Sequence, residues 1–202
     1  MSVINVRYKH VFIHVPKTAG TSMEEEPFVG GRSHEAAQHL LERLTKVGLD
    51  PHDFFWWGFV RHPFDRFLSW WGHLNTPTCG DVDFEGSLAW AWKGKSVDDF
   101  LNWAAQDEEG LKLFDNIIHL VPQYQFFRFS ENNTPEVFIG RYERLEEDWD
   151  LVCARLGESP RKLPVKRRSN RSREFRRALS EESRARLYWL YKRDFDDFQY
   201  GT

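Results

Sequence analysis

Residues 12–22 read Phe-Ile-His-Val-Pro-Lys-Thr-Ala-Gly-Thr-Ser. The apolar run of Val11, Phe12, Ile13 and Val15 stops at a polar loop made of Lys17, Thr18, Ala19, Gly20, Thr21 and Ser22. A short helix-capable stretch follows. This is the layout of a strand, an anion-holding loop and a helix start. Backbone N–H groups at such a turn have no partner inside the helix. An anion set against them gains hydrogen bonds and the positive end of the helix dipole. Lys17 adds a full charge, and Thr18, Thr21 and Ser22 add hydroxyl donors. The expected ligand is a phosphate or a sulfate. The order of residues differs from the nucleotide-triphosphate loop, in which a late Gly-Lys pair is followed by a magnesium-holding Ser or Thr. Here Lys17 comes first and Gly20 later.

A second segment repeats the logic. Residues 55–71 form an apolar run that ends at Arg61 and continues through His62-Pro63-Phe64-Asp65-Arg66 to Ser69. Pro63 suits the first turn of a helix, where its missing N–H costs nothing. A guanidinium can donate two parallel hydrogen bonds to a phosphate, and Ser69 can donate another. Asp65 and Arg66 are expected to pair locally and hold the loop.

Together the two segments resemble the 5′-phosphosulfate loop and the 3′-phosphate motif of sulfotransferases that use 3′-phosphoadenylyl sulfate (PAPS). His62 stands where that family usually has Asn. Gly31-Arg32-Ser33-His34-Glu35 is similar to a histidine-bearing helix start of the carbohydrate sulfotransferases. His119-Leu120-Val121-Pro122-Gln123, the stretch from Gly140 to Leu145 with Asp148, and Asn170-Arg171-Ser172 also fit. The resemblance implies a P-loop-like nucleotide-binding fold and transfer of a sulfuryl group from PAPS to an acceptor hydroxyl, leaving 3′-phosphoadenosine 5′-phosphate (PAP). It implies no metal. The donor would contact Lys17, Thr18, Ala19, Gly20, Thr21, Ser22, Arg61, Ser69 and Arg171. Lys17 is expected to stabilise charge on the bridging oxygen. The acceptor needs a base. If Ser33 caps a helix, His34 falls in its first turn, where the dipole disfavours imidazolium and keeps a proton-accepting ring at neutral pH. His119 is the second choice and Glu35 the third. A P-loop kinase or nucleotide hydrolase is the other enzymatic reading. A nucleotide-binding scaffold without catalysis is the third.

Those residues need a frame. Strands are expected over 11–15, 54–60 and 136–140. Helices are expected over 33–47, 63–74, 96–105, 145–156 and 180–195. Such alternation implies an α/β fold, a three-layer sandwich whose central parallel sheet is covered on both faces. Ligands then bind at the carboxyl ends of the strands, and both anion motifs follow predicted strands. The 202 residues suit a single sulfotransferase domain, with 72–118 an insertion that reads the acceptor and 160–177 a basic flap. Trp90, Trp92 and Trp103 in that insertion are of the kind that stacks on sugar rings. A net charge of −3 speaks against general nucleic-acid binding. The 2 cysteines form neither a zinc spacing nor a disulfide framework. With no long apolar span and no leader before the first strand, the expectation is a cytoplasmic enzyme acting on a small-molecule or glycan acceptor.

Overall fold

A computed structural model describes residues 3–31, 33–76, 88–130, 134–159, 161–163 and 179–201. The chain divides into two compact units, 1–61 with 123–167 and 62–122 with 168–202.

The first unit is built on a four-stranded sheet in the order β1 (Ile4–Asn5), β2 (His10–Ile13), β3 (Phe55–Val60) and β4 (Val137–Arg141). β2, β3 and β4 run parallel, and the two-residue β1 is antiparallel to β2. β2 is buried throughout and β3 nearly so. Strands buried on both faces read as continuous apolar runs, and this is why periodicity of two is absent from the sequence here. Alternation sorts their side chains nonetheless. Phe12 and Trp57 stack at 4.3 Å, and Trp57 also meets Trp149 of helix α6 (Leu145–Leu156). Trp56 points to the opposite face and meets Phe129 edge-on. Phe127, in the 3-10 turn Gln123–Phe127, approaches that face at Gly58, and helix α2 (Ala37–Lys46) packs against this turn. The single-turn helix α1 (Gly20–Met23) follows β2.

The second unit is helical. It contains α3 (Pro63–Leu74), α4 (Val97–Ala104), α5 (Glu108–Asn116), α7 (Glu181–Leu190) and α8 (Lys192–Asp197). Phe67, Trp70, Phe100, Phe114, Leu120, Leu187 and Tyr191 lie in its core. Pro63 opens α3 as expected, and His62 caps it by accepting from the Phe64 N–H at 3.3 Å. The ring thus does the capping work that Asn does well. Ser96 and Ser180 cap α4 and α7. Asp98 binds the second cap, accepting from Ser180 Oγ at 3.1 Å and from Ser183 Oγ, and these hydrogen bonds hold its carboxyl below the usual range.

Two helices differ from expectation. The predicted helix over 180–195 breaks at Tyr191, whose ring is fully buried and whose hydroxyl donates to Leu120 O at 2.9 Å. Burial pushes its phenol above the ordinary range. The predicted helix over 33–47 starts only at Ala37, with residue 36 in an extended conformation. Helix α5 was not expected, although Asp107 caps it through the Glu109 and Gly110 N–H groups.

Candidate functional site

The loop of residues 16–20 leaves the carboxyl end of β2, next to the carboxyl end of β3. Lys17 and Ala19 have φ of 70° and 72°, whereas Thr18 and Gly20 do not have positive φ. The sign of φ therefore alternates along the loop. A backbone of alternating hand suits a concave anion seat. Among the described residues, no backbone carbonyl accepts from the N–H groups of Thr18, Ala19, Gly20 or Thr21. Buried backbone donors normally find partners, so a loop that leaves these donors unfilled suits an anionic group. α1 has only 4 residues. A helix of one turn has a small dipole, so it offers an anion less than the sequence suggested.

The side chains of the loop divide their work. Thr18 is buried and its hydroxyl donates to Val15 O at 2.8 Å. It therefore staples the loop, and what it offers an anion is its N–H. Thr21 is exposed, with Lys17 and Ser22 half-buried. Gly20 is needed for space and not for φ. A Cβ there would lie 1.9 Å from His14 Nε2.

Arg61 reaches the same loop. It is 6% exposed, and its Nη1 donates to Lys17 O at 3.3 Å. The guanidinium lies 4.1 Å from the Tyr142 ring centre. Gln123, fully buried, accepts from Arg61 N at 2.9 Å and donates to Arg61 O at 2.8 Å. Its amide pairs with the strand end as a neighbouring strand would. Tyr142 follows β4 directly, and the register Val60↔Arg141 sets it beside Arg61. Neither Gln123 nor Tyr142 was assigned a role from sequence, although both sit in segments that stood out. The parallel register is the missing information.

His34 also joins the loop. Its Nδ1 lies 2.9 Å from His14 O, and the two rings are 4.2 Å apart. A carbonyl only accepts, so Nδ1 carries the proton and Nε2 is the basic nitrogen. Residues 33–36 are not helical, so His34 lies outside the helical first turn expected for it, and a distant carbonyl sets its tautomer instead. Glu35 accepts from Ser33 at 2.8 Å and pairs with Arg43 at 2.6 Å. Partial burial pushes its carboxyl up, but these partners outweigh burial and hold it below the usual range.

The second unit holds Ser69, half-buried on α3, and His119, half-buried before Leu120. The local pairing expected of Asp65 and Arg66 is not among the contacts of Arg66 with described residues. The Arg66 guanidinium donates to the carbonyls of His119 at 3.3 Å and Val121 at 2.6 Å. Arg171 and most of the basic segment lie outside the described residues; Arg161 at its start is 3.5 Å from Glu26. Among the described residues, no His, Cys, Asp and Glu side chains gather as a metal site, and no helix is long and apolar enough to cross a membrane.

A parallel sheet with helices, carrying the loop of residues 16–20 and Arg61 at the carboxyl ends of its strands, is an α/β fold of the P-loop-like kind. A model of the sulfotransferase family matches residues 1–201. The chain belongs to that family, and sulfuryl transfer is its general chemistry. No curated protein matches it.

Proposed function

We propose that the chain transfers a sulfuryl group from PAPS to a hydroxyl of a carbohydrate or similar small alcohol. The observation that carries this reading is the loop of alternating φ, with Lys17 in it and Arg61 tied to its Lys17 carbonyl. PAPS would supply the sulfuryl group and a phosphate leaving group. The N–H groups of residues 18–21 and the hydroxyls of Thr21 and Ser22 suit the 5′-phosphosulfate. The Lys17 ammonium suits the negative charge that grows on the leaving oxygen, and a fixed donor of this kind is worth ~10²–10³ in turnover. Arg61, whose guanidinium already lies against Tyr142, would bind the 3′-phosphate with little further loss of freedom; Ser69 and Arg171 are its proposed companions. His34 Nε2 would take the acceptor proton, with His119 as the alternative base. A sulfuryl group carries one charge fewer than a phosphoryl group, so neutralisation by protein cations suffices and no metal is proposed.

For the acceptor, Trp92 and Trp103 stack at 5.2 Å in the second unit, and Lys93 lies 4.3 Å from the Trp90 ring centre. Aromatic faces beside ammonium groups suit a sugar. Few cysteines suit a cytoplasmic enzyme.

Calorimetry with PAP tests the reading. The native protein should bind PAP and not ATP with magnesium. Lys17→Ala should lose transfer almost completely. Arg61→Ala should weaken PAP by ~1.5–3 kcal/mol while changing affinity for adenosine 5′-phosphosulfate, which lacks the 3′-phosphate, far less. Equal losses for both ligands would remove Arg61 from the 3′-phosphate, and tight ATP–magnesium binding would favour a kinase.

A further inference from the structure

His14 lies just after β2, beside the loop. The ring is 5% exposed and stacks on Phe12 at 5.2 Å. Its Nδ1 lies 2.8 Å from Glu24 Oε1, a close charge contact without hydrogen-bond geometry, and the Glu24 side chain is 4% exposed. Its Nε2 edge fills the volume that a side chain at position 20 would need, at 1.9 Å from an added Cβ. Its ring also lies 4.2 Å from the His34 ring, and its carbonyl accepts from His34 Nδ1 at 2.9 Å. One residue therefore touches both halves of the site. Glu24 stands at the end of α1, the helix that closes the same loop.

We infer that His14 is a positioning residue with two separable jobs, a floor under the anion loop at Gly20 and a wall that sets the His34 ring, with Glu24 anchoring it. The inference rests on the donor-site reading of this loop and adds to it a residue that touches neither donor nor acceptor. The loop has unfavourable backbone at positions 17 and 19, and such a conformation persists only where its surroundings over-determine it. Buried against Gly20 and in contact with Glu24, the imidazole supplies that constraint. The contact also explains the order Ala-Gly in the loop. The positive φ falls on Ala19, and the glycine is spent one residue later, where the ring leaves no room.

A double-mutant cycle at positions 14 and 20 tests this. All variants carry Glu24→Gln, so that none leaves a buried carboxylate without its partner. Two readouts are taken at a temperature where every variant is folded: amide exchange of residues 17–23, and PAP affinity with turnover. Gly20→Ala should speed exchange of the loop and weaken PAP roughly tenfold or more, because the new methyl displaces the ring. His14→Ala/Gly20→Ala should recover most of both losses, the methyl now occupying the vacated space. Turnover should stay low in every His14→Ala variant, by up to ~10²-fold, because the misplaced His34 is not restored by a methyl at position 20. Additive effects on exchange and affinity would overturn the floor. Turnover that returns with affinity would overturn the wall. A merely structural His14 would lower melting temperature alone, with exchange, affinity and turnover at their Glu24→Gln levels, and would overturn both. Should the native protein fail to bind PAP, the donor reading falls, while the exchange cycle still decides whether His14 supports the loop.

Discussion

At Ala19 the backbone turns into the left-handed region, with φ 72° and ψ 11°. For an L-residue with a Cβ this conformation costs roughly 1–2 kcal/mol. The sequence spends its glycine at position 20 instead, where bulk and not φ is limiting. Ala19→Gly should therefore raise stability, by up to ~1 kcal/mol after the extra unfolded-state entropy of glycine is subtracted. Chemical denaturation measures it, and a loss of stability would mean that the Ala19 methyl makes packing contacts worth more than the backbone relief. Activity should change little if the anion seat is made by the N–H groups alone. The same division of labour holds at Thr18, whose hydroxyl is committed to Val15 O. Hydroxyl count in the loop thus overstates the donors that face an anion.

At the scale of elements, the parallel sheet sets what each glycine must be. Gly58 lies in β3, where a Cβ would come within 2.6 Å of Ile13 O and 2.8 Å of the Phe127 ring. Backbone cannot give way as a flexible side chain can. Gly58→Ala should cost ~1–3 kcal/mol by overpacking. Gly72 is the control. It lies in α3 with nothing within 4 Å of its added Cβ, so Gly72→Ala should stabilise by ~0.5–1 kcal/mol through helix propensity. Urea unfolding of the two variants against the native protein checks the pair. Opposite signs are expected, and a shared sign would break the argument from local space. Gly110 is a third kind: its Cβ would meet Ala104 Cα at 2.5 Å, so it lets α5 approach the end of α4.

For the molecule as a whole, one buried histidine contributes to acid sensitivity. His10 is fully buried in β2, accepts from Trp57 Nε1 at 3.2 Å and donates to Phe28 O at 2.7 Å. Both ring nitrogens are used by the neutral form. Burial lowers its pKa below the ordinary 6.5, and the Phe28 hydrogen bond only partly opposes this. The unfolded chain then binds this proton more readily than the folded one, so stability rises with pH across the window. The contribution is complete above about pH 6.5 and is lost as pH falls from there toward the folded value. His10→Gln keeps an acceptor for Trp57 and a donor for Phe28 without a titrating ring. Its unfolding free energy should decline less between pH 7.5 and 5.5 than that of the native protein, as read by tryptophan fluorescence in urea. Equal declines would assign the acid sensitivity to other groups.

What the sequence determined by itself is what depends on near neighbours in the chain. The loop after β2, Arg61 at the end of β3, Pro63 opening α3 and the caps at Ser96 and Ser180 all follow from residues a few positions apart, because capping and loop geometry act over one or two turns. The strand–helix alternation likewise announced a parallel sheet. Tertiary structure decided everything that joins distant segments. The register of β3 on β4 brought Tyr142 to Arg61, and Gln123 closed the strand end from 62 positions away. A carbonyl 20 residues back fixed the His34 proton, where the sequence had suggested a helix dipole. Burial of Tyr191 against Leu120 broke a helix whose local propensity ran straight through it. In each case the deciding partner is set by packing, and packing partners are chosen by the fold and not by spacing along the chain.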